Sequence, residues 1–346
     1  MASKTFIQSL PKAELHLHLE GSIDPATLAE LSRRYHTPLP TENNRYDATG
    51  SGDVLTEDDV RRLYSYKDFD GFLMAFKSVT ERLREPEDYE LITYRLMQKL
   101  RQQNVMHAEV YVSIGVIRWR GQPVEPLFEG MERGRERGQR DFGVSLLWIF
   151  DAVRHFGPEA AAEVFDLAAR LRDRNVVAIG IGGDEARGPA EKFRDLYKKA
   201  ADNGLRLTAH AGETTGPASV WGALNIGAER IGHGLAAAQD PELMEVMAEK
   251  QVPVEVCVSS NLRTGASPEL KEHPVRKFFD QGLMVTLNTD DPAMFQTSLT
   301  KEYELAQQEF EFSDEHLREL ARNSFEASFL PVEKKLRFLQ KIDFLA

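Results

Sequence analysis

His16 and His18 stand two residues apart in a run that alternates histidine with leucine, Leu15-His16-Leu17-His18-Leu19. A strand sends successive side chains to opposite faces, so this spacing aims both imidazoles the same way while Ala13, Leu15, Leu17 and Leu19 pack behind them. Two imidazoles converging from one strand make half of a metal site. The plain alternative is a strand whose outer face happens to carry histidines, and other donors brought to the same place would decide between the two.

Such donors recur where other apolar runs end: His210-Ala211-Gly212-Glu213, Gly232-His233-Gly234 and Asn288-Thr289-Asp290-Asp291-Pro292. A catalytic metal needs three or four N/O ligands, an open position for water and a nearby group that moves protons. His16, His18, His210 and one aspartate supply the ligands. Asp290 is preferred to Asp291, although spacing alone does not separate them. Neighbouring side chains diverge, so one carboxylate can bind metal while the other faces substrate. Taken singly, each residue also has a structural reading: Asp291 before Pro292 as a helix N-cap, His233 as a core histidine between turn glycines, Glu213 as a cap. Their joint placement at strand ends argues for a site. One metal is expected, because the run 176–182 offers no lysine, aspartate or glutamate to bridge a second.

The elements that must position these residues are eight runs rich in Val, Ile and Leu, at 13–19, 107–113, 144–150, 176–182, 205–210, 230–233, 254–258 and 283–288, separated by stretches of helical period. Helix candidates include 190–203, closed by Gly204, and 241–250, opened by Asp240 as N-cap with proline at the first position. Eight strands alternating with helices predict a TIM (β/α)8 barrel, whose chemistry gathers at the C-terminal ends of the strands. The alternative, an open doubly wound sheet, would carry a GxGxxG turn after its first strand, and Glu20-Gly21-Ser22 is not one. The chain is read as a single barrel domain, 1–346, with a helical insertion at about 36–104 after the first strand. Within it, 66–83 places Phe69, Phe72, Leu73 and Phe76 on one helical face, either packed on the barrel or forming a lid over its mouth. The stretch 41–53 is polar and reads as a loop.

The bulk properties exclude several classes. Lys and Arg number 43 against 55 Asp and Glu, and the net charge of -12 disfavours nucleic acid and anionic membrane surfaces as partners. No apolar run approaches the roughly 18 residues of a membrane span, and the first ten residues lack a signal-peptide core, so a cytoplasmic protein is expected. Cys257 is the only cysteine. It rules out an internal disulfide and a CxxC zinc site, so His107-Ala108-Glu109 is not half of a cytidine-deaminase motif.

Read in order, Pro11-Lys12-Ala13-Glu14-Leu15-His16-Leu17-His18, Gly183-Asp184-Glu185, His210-Ala211-Gly212-Glu213, Arg230-Ile231-Gly232-His233-Gly234, Thr264-Gly265-Ala266 and Asn288-Thr289-Asp290-Asp291-Pro292 resemble the motifs of the adenosine deaminase family of metal-dependent amidohydrolases. The resemblance implies one Zn2+ per chain, bound by His16, His18, His210 and Asp290. It also implies that Glu213 protonates purine N1, that the Gly183 backbone bonds N3 and that Asp291 engages N7. His233 would orient the attacking water and assist its deprotonation. Protonation at N1 concentrates positive character at C6, while a divalent metal lowers the pKa of water from 15.7 toward about 7. Glu213 must then arrive protonated, which a dry pocket favours. Phe69, Phe72 and Leu73 are the lid residues expected to help enclose it.

The family includes deaminases of adenosine, of adenine and of 6-aminodeoxyfutalosine, an adenine nucleoside of menaquinone biosynthesis with a carboxyphenyl ketone on its 5′ side. The turns at 230–234 and 264–266 look more like those of nucleoside deaminases. The expected reaction is therefore adenosine or 2′-deoxyadenosine plus water giving inosine or 2′-deoxyinosine plus ammonia. 6-Aminodeoxyfutalosine is the alternative and adenine ranks third; a noncatalytic purine-binding protein is the reading from a different class, against which the retained ligands, acid and base argue. Two positions depart from the pattern. Glu20 stands where adenosine enzymes often have an aspartate facing the sugar's 5′ end, and Gly180 where many relatives carry aspartate. Arg118, Arg120, Arg187 and Arg263 follow strand runs and are candidates for binding a substrate carboxylate; the plain reading is that they are solvated or paired with surface acids. The expected partner is a small purine nucleoside, and oligomeric state is not legible.

Overall fold

Each apolar run becomes a strand. The computed structural model describes residues 4–35, 56–66 and 69–345, leaving out the side chains of residues 4, 5, 69 and 70. In chain order the strands are β1 (Lys12–His18), β2 (Val105–Val112), β3 (Ser145–Val153), β4 (Val176–Gly182), β5 (Arg206–Ala211), β6 (Arg230–His233), β7 (Val254–Val256) and β8 (Val285–Leu287). They lie side by side in that order, every neighbouring pair parallel. A bridge between Leu17 and Asp290 brings the last strand back to the first: His18 N–H donates to the Asp290 carbonyl at 2.8 Å, and Asp290 N–H to the His16 carbonyl at 3.0 Å. This is the TIM barrel. Its closure sets Asp290 beside both β1 histidines, residues more than 270 positions away in the chain.

Both faces of β1 are buried, as in parallel sheets covered by helices. Leu15 and Leu17 face the helical layer, and His16 and His18 face the axis. Asp240 caps Pro241–Glu249 by accepting from Leu243 N–H at 3.1 Å. The 190–203 stretch divides into a 3-10 turn, Ala190–Phe193, and the helix Arg194–Asp202. Strand β7 stops at Val256, short of the expected 258, because Val258 already opens the helix Val258–Thr264 that carries Ser260 and Asn261 over the barrel mouth. Between β1 and β2 the described residues form the helices Pro25–Tyr35, Glu57–Leu63, Phe69–Thr80 and Pro86–Gln102. The last packs tightly on Val124–Phe142, where a Cβ on Gly130 would fall 1.9 Å from the Pro86 carbonyl oxygen. The expected loop at 41–53 lies outside the described residues.

His107 and Glu109 belong to a charge network inside the barrel. His107 Nε2 lies 3.2 Å from Glu109 Oε1, and Glu109 is ion-paired with Arg230. Arg230 Nε approaches Glu255 Oε1 to 2.6 Å, near enough for an ion pair but out of line for a hydrogen bond. Burial would raise the Glu109 pKa, but Arg230 and His107 outweigh it and hold the carboxyl at about 2. The HxE is therefore a structural pair under the site. Among the described residues, no helix is long and apolar enough to cross a membrane.

Candidate active site

At the C-terminal ends of the strands, one donor atom each of His16, His210, His233 and Asp290 lie within 4.8 Å of one another. His18 joins through Asp290 Oδ1, 3.3 Å from its Nε2, while His16 Nε2 is 3.6 Å from the same oxygen. Hydrogen bonds fix which nitrogens can coordinate. His16 Nδ1 donates to Glu255 Oε2 at 2.8 Å and His210 Nδ1 to the Ile181 carbonyl at 3.1 Å, so each turns its Nε2 lone pair inward. His16 Nε2 is buried and has no hydrogen-bond partner among the described residues. Burial lowers His18 to about 4 and His210 well below its ordinary value, leaving both imidazoles neutral as ligands must be. At His16 burial is outweighed by Asp290 and Glu255, and its pKa stands at about 10; a metal ion held there would take the place of the Nε2 proton. Asp290 Oδ2 accepts from Ser260 Oγ at 2.6 Å, leaving Oδ1 to the cluster. The donor set fits a metal ion.

His233 is the exception, for a reason that can be traced bond by bond. Val275 N–H donates to His273 Nδ1 at 3.2 Å, and burial holds His273 neutral, its pKa at about 3, so its proton sits on Nε2. That Nε2 donates to Asn261 Oδ1 at 3.2 Å, which turns Asn261 Nδ2 toward His233 Nδ1 at 3.0 Å. Neutral His233 therefore carries its proton on Nε2, facing the cavity 3.6 Å from Glu213 Oε2. A protonated Nε2 has no lone pair for a metal. Both His233 (φ 63°) and Asp290 (φ 64°) are held in the left-handed region, a strain of about 1–3 kcal/mol each for residues other than glycine.

Glu213 and Asp291 are tuned toward acids. Burial raises Glu213, with His233 opposing. Burial and the neighbouring charge of Asp290 raise Asp291 well above the carboxylate range, while His16, His18 and His233 outweigh burial and lower Asp290. The adjacent carboxyls thus diverge, Asp290 held toward the carboxylate and Asp291 toward the acid. Gly21 is required by close approach: a Cβ there would lie 1.7 Å from Asp291 Oδ1. Glu185 holds the turn that presents Glu213. Its oxygens accept from the backbone N–H groups of Gly212, Glu213 and Thr214 at 2.8 to 2.9 Å and from the Thr215 hydroxyl at 2.8 Å.

A cavity of about 530 Å3 opens above the cluster. His18, His210, Glu213, His233, Asp290 and Asp291 supply its polar lining, together with Asp151 and Gly183. Phe72, Leu73 and Phe76 from the helix Phe69–Thr80 supply apolar lining, with Val153, Phe156 and Phe295; Phe72 stacks on Phe295 at 5.3 Å between centroids. The side chain of Phe69 lies outside the described residues. Glu20 is buried and accepts from Ser113 N–H at 3.1 Å, behind the cavity wall. Among the described residues none of the four candidate arginines lines the cavity. Arg118 pairs with Glu163, Arg120 donates to the Thr80 carbonyl, and Arg263 donates to the Tyr64 carbonyl at 2.9 Å while lying over the Tyr66 ring. Only Arg187 stays close to the rim: together with burial, its charge lowers the pKa of His155, a cavity residue.

The sequence reading missed Glu255, Asn261, Ser260 and Asp151, and it held Glu185 in a motif without giving it a role. Glu255 and Asp151 had a signal: a carboxylate within a largely apolar strand run. Replacing Glu255 by Gln is expected to weaken metal binding by about 10- to 100-fold, the usual cost of losing a carboxylate behind a histidine ligand. Metal titration against a competing chelator measures it, and unchanged affinity would show that Glu255 serves only Arg230.

Compared with known proteins, residues 11–345 match the model of the adenosine deaminase family. The chain belongs to the adenosine deaminase family. It is an aminohydrolase of that family's type, an enzyme acting on C–N bonds, which removes the noncatalytic alternative. Aminodeoxyfutalosine deaminase of Streptomyces avermitilis is 40% identical over 98% of this chain and 92% of its own. Adenine deaminase of Arthrobacter aurescens superposes with a TM-score of 0.87 at 30% identity, over 96% of this chain and 98% of the other. An amidohydrolase of Burkholderia ambifaria with bound Zn gives a TM-score of 0.85 at 26% identity, over 99% and 93%. The family's members among these relatives deaminate aminopurine-type substrates, and the two named activities are not adenosine deaminase.

Proposed function

We propose that this enzyme hydrolyses the 6-amino group of a purine nucleoside and that 6-aminodeoxyfutalosine is its substrate. The observation that carries the substrate is the 40% identity, along nearly the whole of both chains, to an aminodeoxyfutalosine deaminase. It moves the adenosine and 2′-deoxyadenosine reading, which the turn motifs favoured, to second place. The cavity lining supports the extended substrate: its polar side chains suit the aminopurine, and its aromatic ones, Phe72, Phe76, Phe156 and Phe295, suit an aryl group. Adenine remains the competing substrate because of the resemblance to an adenine deaminase. A cytoplasmic location is part of the proposal, and the lone buried Cys257 suits a reducing compartment.

One Zn2+ would be held by His16, His18, His210 and Asp290, with His233 excluded by its protonated Nε2. Bound there, the ion would lower the pKa of a water molecule toward about 7. Glu213, protonated in its partly dry setting, gives its proton to N1 and makes C6 the electrophile. Asp291 as an acid donates to N7, and the Gly183 backbone N–H to N3. His233, its Nε2 already protonated, donates to the attacking oxygen and directs it at C6, and does not take the proton of the water as the resemblance implied. The carboxylate left on Glu213 then takes the proton of the new C6 hydroxyl and passes it to the amino group, which leaves as NH3 while C6 keeps the oxygen as a carbonyl and N1 keeps its proton. Glu213 regains a proton from solvent, which received the first proton of the water. The rate advantage comes from holding these groups in place before substrate arrives.

The test is ammonia release from 6-aminodeoxyfutalosine, adenosine, 2′-deoxyadenosine and adenine offered in parallel to zinc-loaded protein. The first is expected to give the highest kcat/KM; a preference for adenine or adenosine would replace the proposed substrate. Arg187→Ala is expected to raise KM for 6-aminodeoxyfutalosine about tenfold, the loss of one charge-assisted contact at an exposed rim, with adenosine unaffected. An unchanged KM would remove Arg187 from carboxylate recognition.

A further inference from the structure

Asp151 belongs to the axis-facing row of β3 that also contains Ile149, near the C-terminal end where a barrel handles its ligands. It is 7% exposed and shares the cavity wall with His18, Ser113, Gly182 and Gly183. Its Oδ1 has no hydrogen-bond partner among the described residues. The neighbouring strand is cut away to make room for it. A Cβ on Gly180 would lie 2.9 Å from Asp151 Oδ1, and one on Gly182 would lie 3.0 Å from Oδ2. Gly180, the departure noted in the sequence, thus has a steric reason: an aspartate there would run into the carboxyl that this chain supplies from β3.

A buried carboxyl oxygen without a partner is costly to keep unless a ligand satisfies it. The ring nitrogens of the purine are acceptors, served by Glu213, Asp291 and Gly183. A hydroxyl suits Asp151 in either protonation state, donating to a carboxylate and accepting from a carboxylic acid. The hydroxyls of a nucleoside lie on its sugar.

We infer that Asp151 is a specificity-determining residue that hydrogen-bonds a sugar hydroxyl of the substrate and so selects nucleosides over the free base. This rests on the purine-nucleoside reading proposed above. The site then admits adenine sterically but gains nothing from Asp151 in binding it, whereas a ribonucleoside fills the unpaired position.

The experiment compares the parent with Asp151→Ala and Asp151→Asn. Substrates are the ribonucleoside the parent turns over best, its 2′-deoxy and 3′-deoxy forms, and adenine. Asp151→Ala is expected to lower kcat/KM on the ribonucleoside about tenfold or more, mainly through KM. The penalty should vanish on the deoxy form that lacks the contacted hydroxyl and on adenine. Asp151→Asn, which keeps a hydrogen-bonding group, should recover most of the loss. Calorimetric affinity for the nucleoside product should fall in parallel, with metal content and melting temperature unchanged. An equal loss on all substrates, or no loss on any, would overturn the assignment of Asp151 while leaving the nucleoside reading intact. A parent enzyme that deaminates adenine and no nucleoside would overturn that reading, and the assignment with it.

Discussion

Glu213→Gln is expected to reduce turnover about a thousandfold while the protein keeps its metal, the middle of the range for losing a positioned general acid. Glutamine preserves the shape and the backbone bonds to Glu185, since those are made by the main chain of residues 212 to 214. What it removes is the proton for N1. The sign of the pH effect follows from the direction of the shift. Burial raises the Glu213 pKa, the acid form is the active one, and so kcat/KM falls as pH rises through that raised pKa. The glutamine variant should lose this limb of the profile along with its activity. Metal analysis beside the kinetics separates the roles: if metal departs with the carboxylate, Glu213 is a ligand and the proposed proton transfer is wrong.

His18→Ala is expected to strip the metal and, with it, the stability that binding adds. A ligand at a hundredfold above its dissociation constant stabilises the folded state by about 2.7 kcal/mol. Loss of one of four donors should therefore narrow the gap between the melting temperatures of the metal-loaded and chelator-treated protein, with the chelator-treated value little changed. The geometry makes His18 the decisive case, because the tightest group of donor atoms contains His233 in its place. Full metal occupancy in His18→Ala, with loss in His233→Ala, would reverse the assignment based on the proton at His233 Nε2.

The barrel was legible because parallel strands buried on both faces appear as aliphatic runs, and eight of them came with helical stretches between. Runs with clear punctuation were placed within a residue or two, such as β4 and β6, while β7 was overextended because Val258 looks the same in a strand or at the start of a helix. The cluster was legible for a related reason. A histidine or aspartate at the end of an aliphatic run is out of place unless the end of that run does chemistry. The arginines were not legible, since Arg118 beside a surface glutamate and Arg187 at the rim look alike in the chain.

By itself the sequence determined the fold class and which side chains gather at the strand ends, because these follow from periodicity and from residue types that strands cannot otherwise bury, and its motifs carried the resemblance to the family. Tertiary structure decided their states. That His16 offers Nε2 depends on Glu255 from β7, that His233 donates depends on a relay through Asn261 and His273, and that Asp291 is pushed toward the acid while Asp290 is held toward the carboxylate depends on burial beside the Asp290 charge for the first and on the surrounding histidines for the second. Protonation and hydrogen-bond direction are set by neighbours far apart in the chain, and only closing the barrel brings those neighbours within reach.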